Sequence, residues 1–312
     1  MSFAAVFPGQ GSQSIGMLAS FLPDYHEIKQ VFTEASDVLD YDLWELIQTG
    51  PDERLNATER TQPALLAAGV ALWRLWQVSN GPKPACMAGH SLGEYTALVC
   101  SGAMDFKAAV KLVAFRGQVM QQAAPPGVGA MAAILGLDDD AVRLACTEAA
   151  QGQVVEAVNF NSPGQVVIAG EKPAVERAMA SCSAKGAKRA VLLPVSVPSH
   201  CALMRPAADK LAARLADLLL KPPQIPVIHN VDVAAHADVA AIRQALKEQL
   251  YSPVRWAETV QLLASRGITK LVEFGPGRVL SGLTKRINKS VEAYPVYDPQ
   301  TLQAALAAVG KP

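Results

Sequence analysis

The segment AGHSLGEY, residues 88–95, places a serine between two glycines in the pattern G-x-S-x-G, which runs from Gly89 to Gly93. A short apolar run, 85–88, precedes the pattern, and a helix-like segment, 94–100, follows it. Glycines at these positions permit a sharp turn from a strand into a helix, which lifts the serine hydroxyl out of the sheet. The segment predicts an α/β fold with Ser91 as a nucleophile at the end of a strand. The alternative is a serine that only shapes the turn or caps the helix.

Length and composition are those of an ordinary globular protein. The 312 residues are 50% hydrophobic and 18% charged, which is enough to bury a large core in one or two domains. Lys and Arg total 28, as do Asp and Glu, so the formal net charge is zero. This balance argues against binding to nucleic acid or to an acidic membrane, although it allows a local basic patch for an acidic partner.

The N-terminal segment and the cysteines indicate a cytoplasmic protein. Residues 1–13, MSFAAVFPGQGSQ, lack the basic region of a signal peptide, and no apolar run reaches the length that spans a bilayer. The five cysteines form no C-x-x-C pair. We therefore expect free thiols in a reducing compartment.

Strand-like and helix-like segments alternate along much of the chain. Apolar or β-rich runs occupy 3–7, 85–88, 227–231 and 271–274, and 61–76 has a helical pattern. This alternation predicts a mostly parallel sheet with helices on both faces. Three of the runs end in glycine-containing loops, and functional sites form at the carboxyl ends of such strands.

The middle of the chain has a different pattern. Strand-like segments at 129–137, 154–160, 165–169 and 189–195 alternate with helix-like segments at 138–150 and 172–185. Their order, βαββαβ, is typical of a ferredoxin-like unit, and proline-rich segments mark both of its ends. We predict a small ferredoxin-like domain, residues 127–198, inserted into a large domain formed by 1–126 and 199–312. A cleft is expected between the two.

The base that activates Ser91 is predicted to come from far along the chain. The side chain of the adjacent His90 should diverge from that of Ser91, and Glu94 lies in the first helical turn, where a carboxylate interacts favourably with the helix dipole. The remaining histidines are His26, His200, His229 and His236. We favour His200, because it lies at the junction of the two predicted domains and a neutral imidazole suits proton removal from a serine. A structural hinge histidine is the alternative, and Cys201 is expected to be a small buried residue.

Arg116 lies on the apolar side of a predicted helix. Asp105 is the expected N-cap, the helix runs to about Ala123, and Arg116 falls seven residues after Ala109 and four before Met120. This is an unusual place for a guanidinium. Three interpretations stay open: the charge reaches solvent at the edge of the stripe, forms a buried structural ion pair, or binds a substrate carboxylate.

The first strand ends in a glycine-rich loop, FPGQGSQ, at residues 7–13. The spacing Gly9-x-Gly11-x-x-Ser14 lacks the third glycine of a dinucleotide fingerprint, which makes that interpretation the weaker one. Small residues also let the backbone approach a ligand closely. Gln10, or its amide N–H, can then help to form an oxyanion hole.

Taken together, these motifs resemble one enzyme family, the malonyl-CoA:acyl-carrier-protein transacylases of bacterial type II fatty acid synthesis. The match is carried by FPGQGSQ (7–13), TQPALL (61–66), GHSLGEY (89–95), FRGQVM (115–120), NFNSPGQVVIAG (159–170), SVPSHCALM (196–204), QLYSPVRW (249–256) and FGPGRVL (274–280). The motifs occur in the family's order and run nearly from end to end. The resemblance implies an α/β-hydrolase-like large domain with a ferredoxin-like insert.

The resemblance also implies roles for individual residues. Ser91 is the acylated nucleophile, His200 its general base, and Arg116 the partner of the malonyl carboxylate. The backbone amides of Gln10 and Leu92 form the oxyanion hole. Gln249 orients His200 through its main-chain carbonyl, so that the third member of the triad is not an acid. Ser199, which precedes the histidine, resembles the residue found in stand-alone malonyl enzymes.

The implied reaction transfers malonyl from malonyl-CoA to the phosphopantetheine thiol of acyl carrier protein through a malonyl-serine ester. It needs no metal and no bound cofactor, since the CoA thioester is a substrate. Carrier docking is expected on a basic patch, with Lys188 and Arg189 or Lys285 and Arg286 as contributors. Other functions stay open: a serine hydrolase such as a thioesterase, a non-catalytic scaffold, or a transacylase that serves a polyketide or malonate decarboxylase carrier.

Overall fold

The computed structural model describes residues 2–22, 24–125, 127–195 and 197–310, and within them helices and strands alternate. In chain order the elements are β1 (Phe3–Phe7), α1 (His26–Ser36), α2 (Leu43–Thr49), α3 (Asp52–Leu55), α4 (Thr58–Val78), β2 (Cys86–Gly89), α5 (Leu92–Cys100), α6 (Phe106–Ala123), β3 (Gly129–Leu135), α7 (Asp139–Ala150), β4 (Val155–Ser162), β5 (Gln165–Glu171), α8 (Lys172–Ala184), β6 (Arg189–Leu192), α9 (Arg205–Asp217), β7 (Val227–Ile228), α10 (Val239–Glu248), α11 (Trp256–Ser265), β8 (Lys270–Phe274), α12 (Val279–Ile287), β9 (Glu292–Val296) and α13 (Pro299–Val309).

Five of the strands form a parallel sheet in the order β7-β2-β1-β8-β9. β1 is central and buried on both faces: Phe3, Ala5 and Phe7 join one apolar cluster, while Ala4 and Val6 join another. Because side chains alternate between the two faces of a strand, these two clusters lie on opposite sides of the sheet. Helices cover both sides, as the sequence pattern predicts for a parallel sheet.

The other four strands form a second, antiparallel sheet in the order β4-β5-β3-β6. Its elements follow one another as β3-α7-β4-β5-α8-β6, which confirms the predicted βαββαβ order. The two helices pack over a separate apolar cluster that includes Ile134, Val142, Val166 and Val175. The protein is therefore a mixed α/β structure with one parallel and one small antiparallel sheet.

Backbone hydrogen bonds join the antiparallel sheet to the segment before α11. The amide of Phe160 donates to the carbonyl of Val254 at 3.0 Å, and the amide of Val254 donates to the carbonyl of Val158 at 2.8 Å. The ring of His90 adds a side-chain link, since its Nε2 lies 2.8 Å from Oδ1 of Asn161 in β4. These bonds hold β4 next to the loop that carries Ser91.

The predicted strand at 227–231 is wrong in its length. β7 ends at Ile228, because the next two amides bond away from the sheet. The amide of His229 donates to the carbonyl of Ala234, and the amide of Asn230 donates to the carboxylate of Glu94. The strands predicted at 129–137 and 189–195 also end earlier, at Leu135 and Leu192.

Among the described residues, no helix combines the length and the apolar character needed to cross a membrane. The predicted domain boundary at Pro126 and the first residue of the SVPSHCALM motif, Ser196, lie outside the described residues.

Candidate active site

Three glycine-containing loops meet at the carboxyl ends of β2, β1 and β8, which are neighbours in the parallel sheet. A Cβ on Gly9 would lie 2.5 Å from the carbonyl oxygen of His90, and a Cβ on Gly275 would lie 2.3 Å from Cγ of Pro8. Both distances are shorter than any real contact, so the loops touch only because these residues are glycines. The predicted site at this edge of the sheet coincides with this loop cluster.

Ser91 lies at the turn from β2 into α5 with φ 51° and ψ −109°, a conformation that non-glycine residues seldom adopt. A Cβ on Gly89 would lie 1.9 Å from the carbonyl carbon of Gly93, and a Cβ on Gly93 would lie 2.0 Å from the carbonyl oxygen of Phe7. Both glycines of the G-x-S-x-G pattern are therefore required by close packing. The strand-turn-helix predicted from the sequence is present.

His200 lies against Ser91, with 2.8 Å between Nε2 and the serine Oγ. On the other side of the ring, Nδ1 lies 2.7 Å from the main-chain carbonyl oxygen of Gln249. A carbonyl only accepts hydrogen bonds, so Nδ1 carries the ring proton and Nε2 presents its lone pair to the hydroxyl. The geometry is that of a serine and a base oriented by a third group.

The pKa of His200 is lowered to about 3, first by burial of the ring and then by the positive charge of Arg116. Burial disfavours the charged imidazolium, and a nearby cation adds to this effect. The imidazole is therefore neutral at pH 7, which is the state a general base requires.

Arg116 is buried, with 1% of its surface exposed, and its guanidinium lies inside the cavity next to Ser91. Nη1 donates to Oε1 of Gln62 at 2.9 Å, and Nη2 donates to Oε1 of Gln249 at 3.0 Å. Nη2 also lies 3.4 Å from the hydroxyl oxygen of Ser91. The helix carrying it begins after Asp105, whose side chain caps it as predicted.

These contacts exclude two of the three interpretations of Arg116 that the sequence left open. A side chain with 1% exposure does not reach solvent at the edge of the helix. Within the described residues the ion pairs involve other cations, and the hydrogen-bond acceptors of the guanidinium are uncharged: the amides of Gln62 and Gln249 and the hydroxyl of Ser91. A buried cation with only neutral partners can take up an anion without displacing another one.

Gln249 contacts all three groups of the site. Its carbonyl accepts from His200, its side-chain Oε1 accepts from Arg116, and its Nε2 donates to the carbonyl oxygen of Ser91 at 3.0 Å. The residue is fully buried at the end of α10. The resemblance implied only the main-chain contact, and the side-chain contacts add a link between the base and the guanidinium.

These groups line a cavity of about 110 Å³ between the two sheets. The lining residues are Gln10, Gln62, His90, Ser91, Leu92, Arg116, Met120, Met131, Asn159, Leu193, Val195, Val197, Ser199 and His200. Leu92 is the first residue of α5, so its amide N–H has no acceptor within the helix. All six residues predicted for the site therefore lie in this cavity or, for Gln249, directly behind it.

Comparison with known proteins gives the family. Residues 5–299 match the model of the acyl transferase domain. The chain is 60% identical over 304 residues, which is 97% of its length and 98% of the relative's, to the malonyl CoA-acyl carrier protein transacylase of Salmonella typhimurium. The chain belongs to the malonyl CoA-acyl carrier protein transacylases of the acyl transferase domain family. The malonyl CoA-acyl carrier protein transacylase of Bacillus subtilis is 44% identical over 304 residues, which is 97% of this chain and 96% of the relative.

Solved structures agree with this assignment. An acyl carrier protein S-malonyltransferase from Vibrio cholerae has 62% identity and a TM-score of 0.96, with 97% of this chain and 99% of that one covered. A malonyl-transacylase solved in complex with a holo type II PKS acyl-carrier protein has 59% identity and a TM-score of 0.98, with 99% and 100% covered. The chain thus shares its complete fold with these proteins.

Glu94 has a different environment from the one predicted. It lies in the first turn of α5, as expected, but its carboxylate is completely buried and bonds to the segment that follows β7. Oε1 accepts from Nδ1 of His229 at 2.8 Å, and Oε2 accepts from the amide of Asn230 at 2.8 Å. Burial lowers the pKa of His229, but the charge and hydrogen bond of Glu94 outweigh it, so that this pKa is raised. The carboxylate of Glu94 is therefore held by two hydrogen bonds in addition to its interaction with the helix dipole.

The remaining candidates lie outside the catalytic geometry. His26 is exposed at the start of α1, and Nε2 of His236 bonds to Asp232 at 2.6 Å. Cys201 is fully buried, its thiol lies 3.1 Å from the carbonyl of Pro198, and burial raises its pKa to about 12. A thiol with this pKa is not a nucleophile at pH 7. Among the described residues no cluster of His, Cys, Asp or Glu could hold a metal ion.

Three polar residues of the site were not predicted from the sequence. Gln62 holds Arg116, Asn161 holds the ring of His90, and Asn230 contacts the turn of Ser91. Gln62 lies in the segment TQPALL, which was noted only for its resemblance. A buried glutamine on an otherwise apolar helix face was the available signal, since α4 is buried almost all round.

The lowered pKa of His200 predicts a pH dependence of stability. The ordinary histidine pKa is 6.5, so between pH 6.5 and about 3 the unfolded chain binds a proton at this residue that the folded protein does not. Stability must then fall as the pH is lowered through this window. Between pH 7 and pH 5 the loss at His200 should be about 2 kcal/mol.

Urea unfolding of the wild type and of His200→Asn at pH 7 and pH 5 measures this effect. We expect the decrease in unfolding free energy from pH 7 to pH 5 to be about 2 kcal/mol smaller in His200→Asn than in the wild type. His26→Asn, the same replacement at an exposed histidine, serves as the control for the substitution itself. Identical pH dependence in wild type and His200→Asn would contradict the buried, neutral imidazole.

Proposed function

We propose that this protein transfers the malonyl group from malonyl-CoA to the phosphopantetheine thiol of acyl carrier protein, which supplies malonyl units for fatty acid elongation. The observation that carries the proposal is the joint position of three groups: Nε2 of His200 2.8 Å from Oγ of Ser91, and a buried guanidinium of Arg116 3.4 Å from the same oxygen. A nucleophile, a base and a carboxylate-binding cation in one cavity fit a dicarboxylic half-thioester. Membership of the transacylase family supports the same activity.

In the first half-reaction the hydroxyl oxygen of Ser91 attacks the thioester carbonyl while Nε2 of His200 takes its proton. The negative charge that develops on the carbonyl oxygen is stabilised by the backbone amides of Gln10 and Leu92. The carbon–sulfur bond breaks, the proton on His200 passes to the CoA sulfur, and a malonyl-serine ester remains. The hydrogen bond from Nδ1 to the carbonyl of Gln249 keeps the imidazole in one tautomer throughout.

The second half-reaction runs through the same groups in reverse. His200 takes the proton of the phosphopantetheine thiol, the sulfur attacks the ester carbonyl, and the ester bond to Ser91 breaks. The proton returns to the serine oxygen, and the malonyl group leaves on the carrier protein. A single site serves both thiols because CoA and the carrier end in the same phosphopantetheine group.

Arg116 binds the free carboxylate of the malonyl group. The planar guanidinium can form two parallel hydrogen bonds to a carboxylate, and its burial strengthens the interaction. Gln62 and Gln249 hold the guanidinium from its sides, which keeps its position fixed before substrate binds. Acetyl-CoA lacks the carboxylate and leaves this buried charge unpaired, so it is rejected.

The domain organisation is part of the proposal. An α/β-hydrolase-like large domain, residues 1–126 and 199–312, carries the parallel sheet, and a ferredoxin-like domain, residues 127–198, carries the antiparallel one. The separate apolar cluster beneath the antiparallel sheet supports this division. The strand order β4-β5-β3-β6 together with the βαββαβ connectivity supports the ferredoxin-like assignment.

We further propose that the protein acts in the cytoplasm without a bound cofactor and docks its carrier on exposed cations. Lys188, Arg189, Lys285 and Arg286 are all exposed. Arg286 donates to Oε1 of Gln165 at 2.8 Å. Gln165 and Arg189 both pair with Leu135, from opposite sides of β3, so the two basic pairs lie at the same end of the antiparallel sheet.

Incubation of the purified protein with malonyl-CoA and holo acyl carrier protein tests the function. We expect malonyl-carrier to form and a malonyl mass to appear on the peptide that contains Ser91 when the carrier is left out. Rapid release of malonic acid without a thiol acceptor would instead identify a hydrolase. Failure to form any malonyl adduct would identify a non-catalytic member of the family.

A further inference from the structure

Asn230 follows β7 and reaches under the turn that carries Ser91. Its side chain is buried, with 1% of the residue exposed, and bonds to both sides of the turn. Oδ1 accepts from the amide of Ser91 at 2.8 Å, and Nδ2 donates to the carbonyl oxygen of Gly89 at 2.7 Å. One carboxamide therefore bridges the backbone of the nucleophile and the backbone two residues before it.

Asn230 is itself held by a buried ionisable pair. Its amide donates to Oε2 of Glu94, whose Oε1 accepts from Nδ1 of His229. Glu94 and His229 are both completely buried. The carboxylate thus ties the segment after β7 to α5, and the carboxamide ties the same segment to the end of β2.

The turn at Ser91 requires this support. With φ 51° and ψ −109° the serine occupies a disfavoured backbone region, and such residues persist only where their surroundings hold them. The bond to Asn230 also occupies the amide N–H of Ser91, so this donor is directed away from the substrate. The oxyanion then has to be bound by other amides, which agrees with the proposed use of Leu92.

We propose that Asn230 is a positioning residue that fixes the backbone of Ser91 so that Oγ stays 2.8 Å from Nε2 of His200, and that Glu94 and His229 act by holding Asn230. This inference rests on the proposed function for the choice of substrate, but its geometric content concerns the reactivity of Ser91 alone. Asn230 touches neither the hydroxyl of Ser91 nor the guanidinium of Arg116. Its loss must therefore lower the reactivity of the serine and leave malonyl binding largely intact.

Two variants test the proposal. Asn230→Leu keeps the approximate shape and removes both hydrogen bonds, and Asn230→Asp keeps the acceptor for the amide of Ser91 but loses the donor to Gly89. We expect kcat for malonyl loading to fall about 10- to 100-fold in Asn230→Leu, with KM changed by less than about threefold. The rate of inactivation by a fluorophosphonate, which reacts with activated serines, should fall by a similar factor. Asn230→Asp should show the same pattern.

Thr259→Val is the matched control, since it removes a buried hydroxyl from α11 whose one partner among the described residues is the carbonyl of Arg255. It can lower the melting temperature but should leave kcat and the fluorophosphonate rate at wild-type values. Wild-type fluorophosphonate rates in both folded Asn230 variants, or a rise in KM with unchanged kcat, would overturn the proposal. If the wild type reacts with the fluorophosphonate but does not load malonyl, the proposed function fails, while the fluorophosphonate comparison still decides the role of Asn230.

Discussion

Ser91→Ala is expected to abolish formation of the malonyl-enzyme and to lower malonyl transfer by on the order of 10⁵- to 10⁶-fold, as for other serine nucleophiles. The variant lacks the oxygen that attacks the thioester, and the neighbouring groups offer no replacement. The thiol of Cys201 is buried with its pKa raised to about 12. The hydroxyl of Ser199 faces the carbonyl of Val197, 3.4 Å away. Intact mass spectrometry after incubation with malonyl-CoA, together with a transfer assay, measures the loss.

Ser199→Ala provides the control for this experiment, because Ser199 lines the same cavity without contacting His200 Nε2. We expect it to load malonyl close to the wild-type rate. Ser91→Ala keeps the Cβ atom and the backbone hydrogen bond to Asn230 and removes only the hydroxyl, so the variant should keep a melting temperature close to that of the wild type. A malonyl adduct on folded Ser91→Ala would show that another residue is the acyl acceptor.

The contrast between Ser91 and Arg116 shows how much of the site could be predicted from the sequence. Ser91 could be predicted from the local sequence alone, since two glycines at fixed spacing between an apolar run and a helix indicate a tight turn. Helical periodicity predicts that the side chain of Arg116 faces inward. It does not predict which groups the guanidinium contacts. Its partners Gln62 and Gln249 lie 54 and 133 residues away in the chain, so only the fold could identify them.

Two kinds of residue were the hardest to predict from the sequence: those that contact the site through their main chain, and those whose contacts depend on which strands are neighbours. The carbonyl of Gln249 accepts the hydrogen bond from Nδ1 of His200. Every residue has a carbonyl, so residue type gives no indication of such a contact, and only the family resemblance pointed to Gln249. Asn230 follows a two-residue strand, and its contacts to Gly89 and Ser91 depend on β7 lying beside β2. The predicted longer strand at 227–231 would have placed its amide in the sheet instead.

Some elements of the fold could likewise be predicted from the sequence, and others could not. The βαββαβ order was predictable because strand and helix patterns there are separated by clear turns. The edge strand β9, Glu292–Val296, was not identified, because it is only partly buried and contains Pro295. Proline removes a sheet hydrogen bond and is tolerated at an edge, where sequence alone gives little reason to expect a strand.

Arg116→Ala is expected to lower malonyl loading by roughly 30- to several-thousand-fold, the range for loss of a buried charge-assisted pair of about 2–5 kcal/mol. Loading of acetyl from acetyl-CoA should fall much less, since acetyl makes no use of the guanidinium. The ratio of kcat/KM for malonyl-CoA to that for acetyl-CoA is the decisive quantity. Both substrates acylate Ser91, so any general disturbance of the site affects the two alike and cancels in the ratio.

The charge of Arg116 also helps to lower the pKa of His200, so its removal raises that pKa. Measurement at pH 8 keeps the imidazole neutral in wild type and variant and separates this effect from loss of the carboxylate partner. Arg116→Lys keeps the charge but not the planar pair of donors, and we expect an intermediate ratio from it. Arg214→Ala, on the outer face of α9, is the control for loss of an arginine and should keep the wild-type ratio. A malonyl-to-acetyl ratio unchanged in Arg116→Ala would mean that the carboxylate is recognised elsewhere, and Arg116 would then be a structural residue that packs between Gln62 and Gln249.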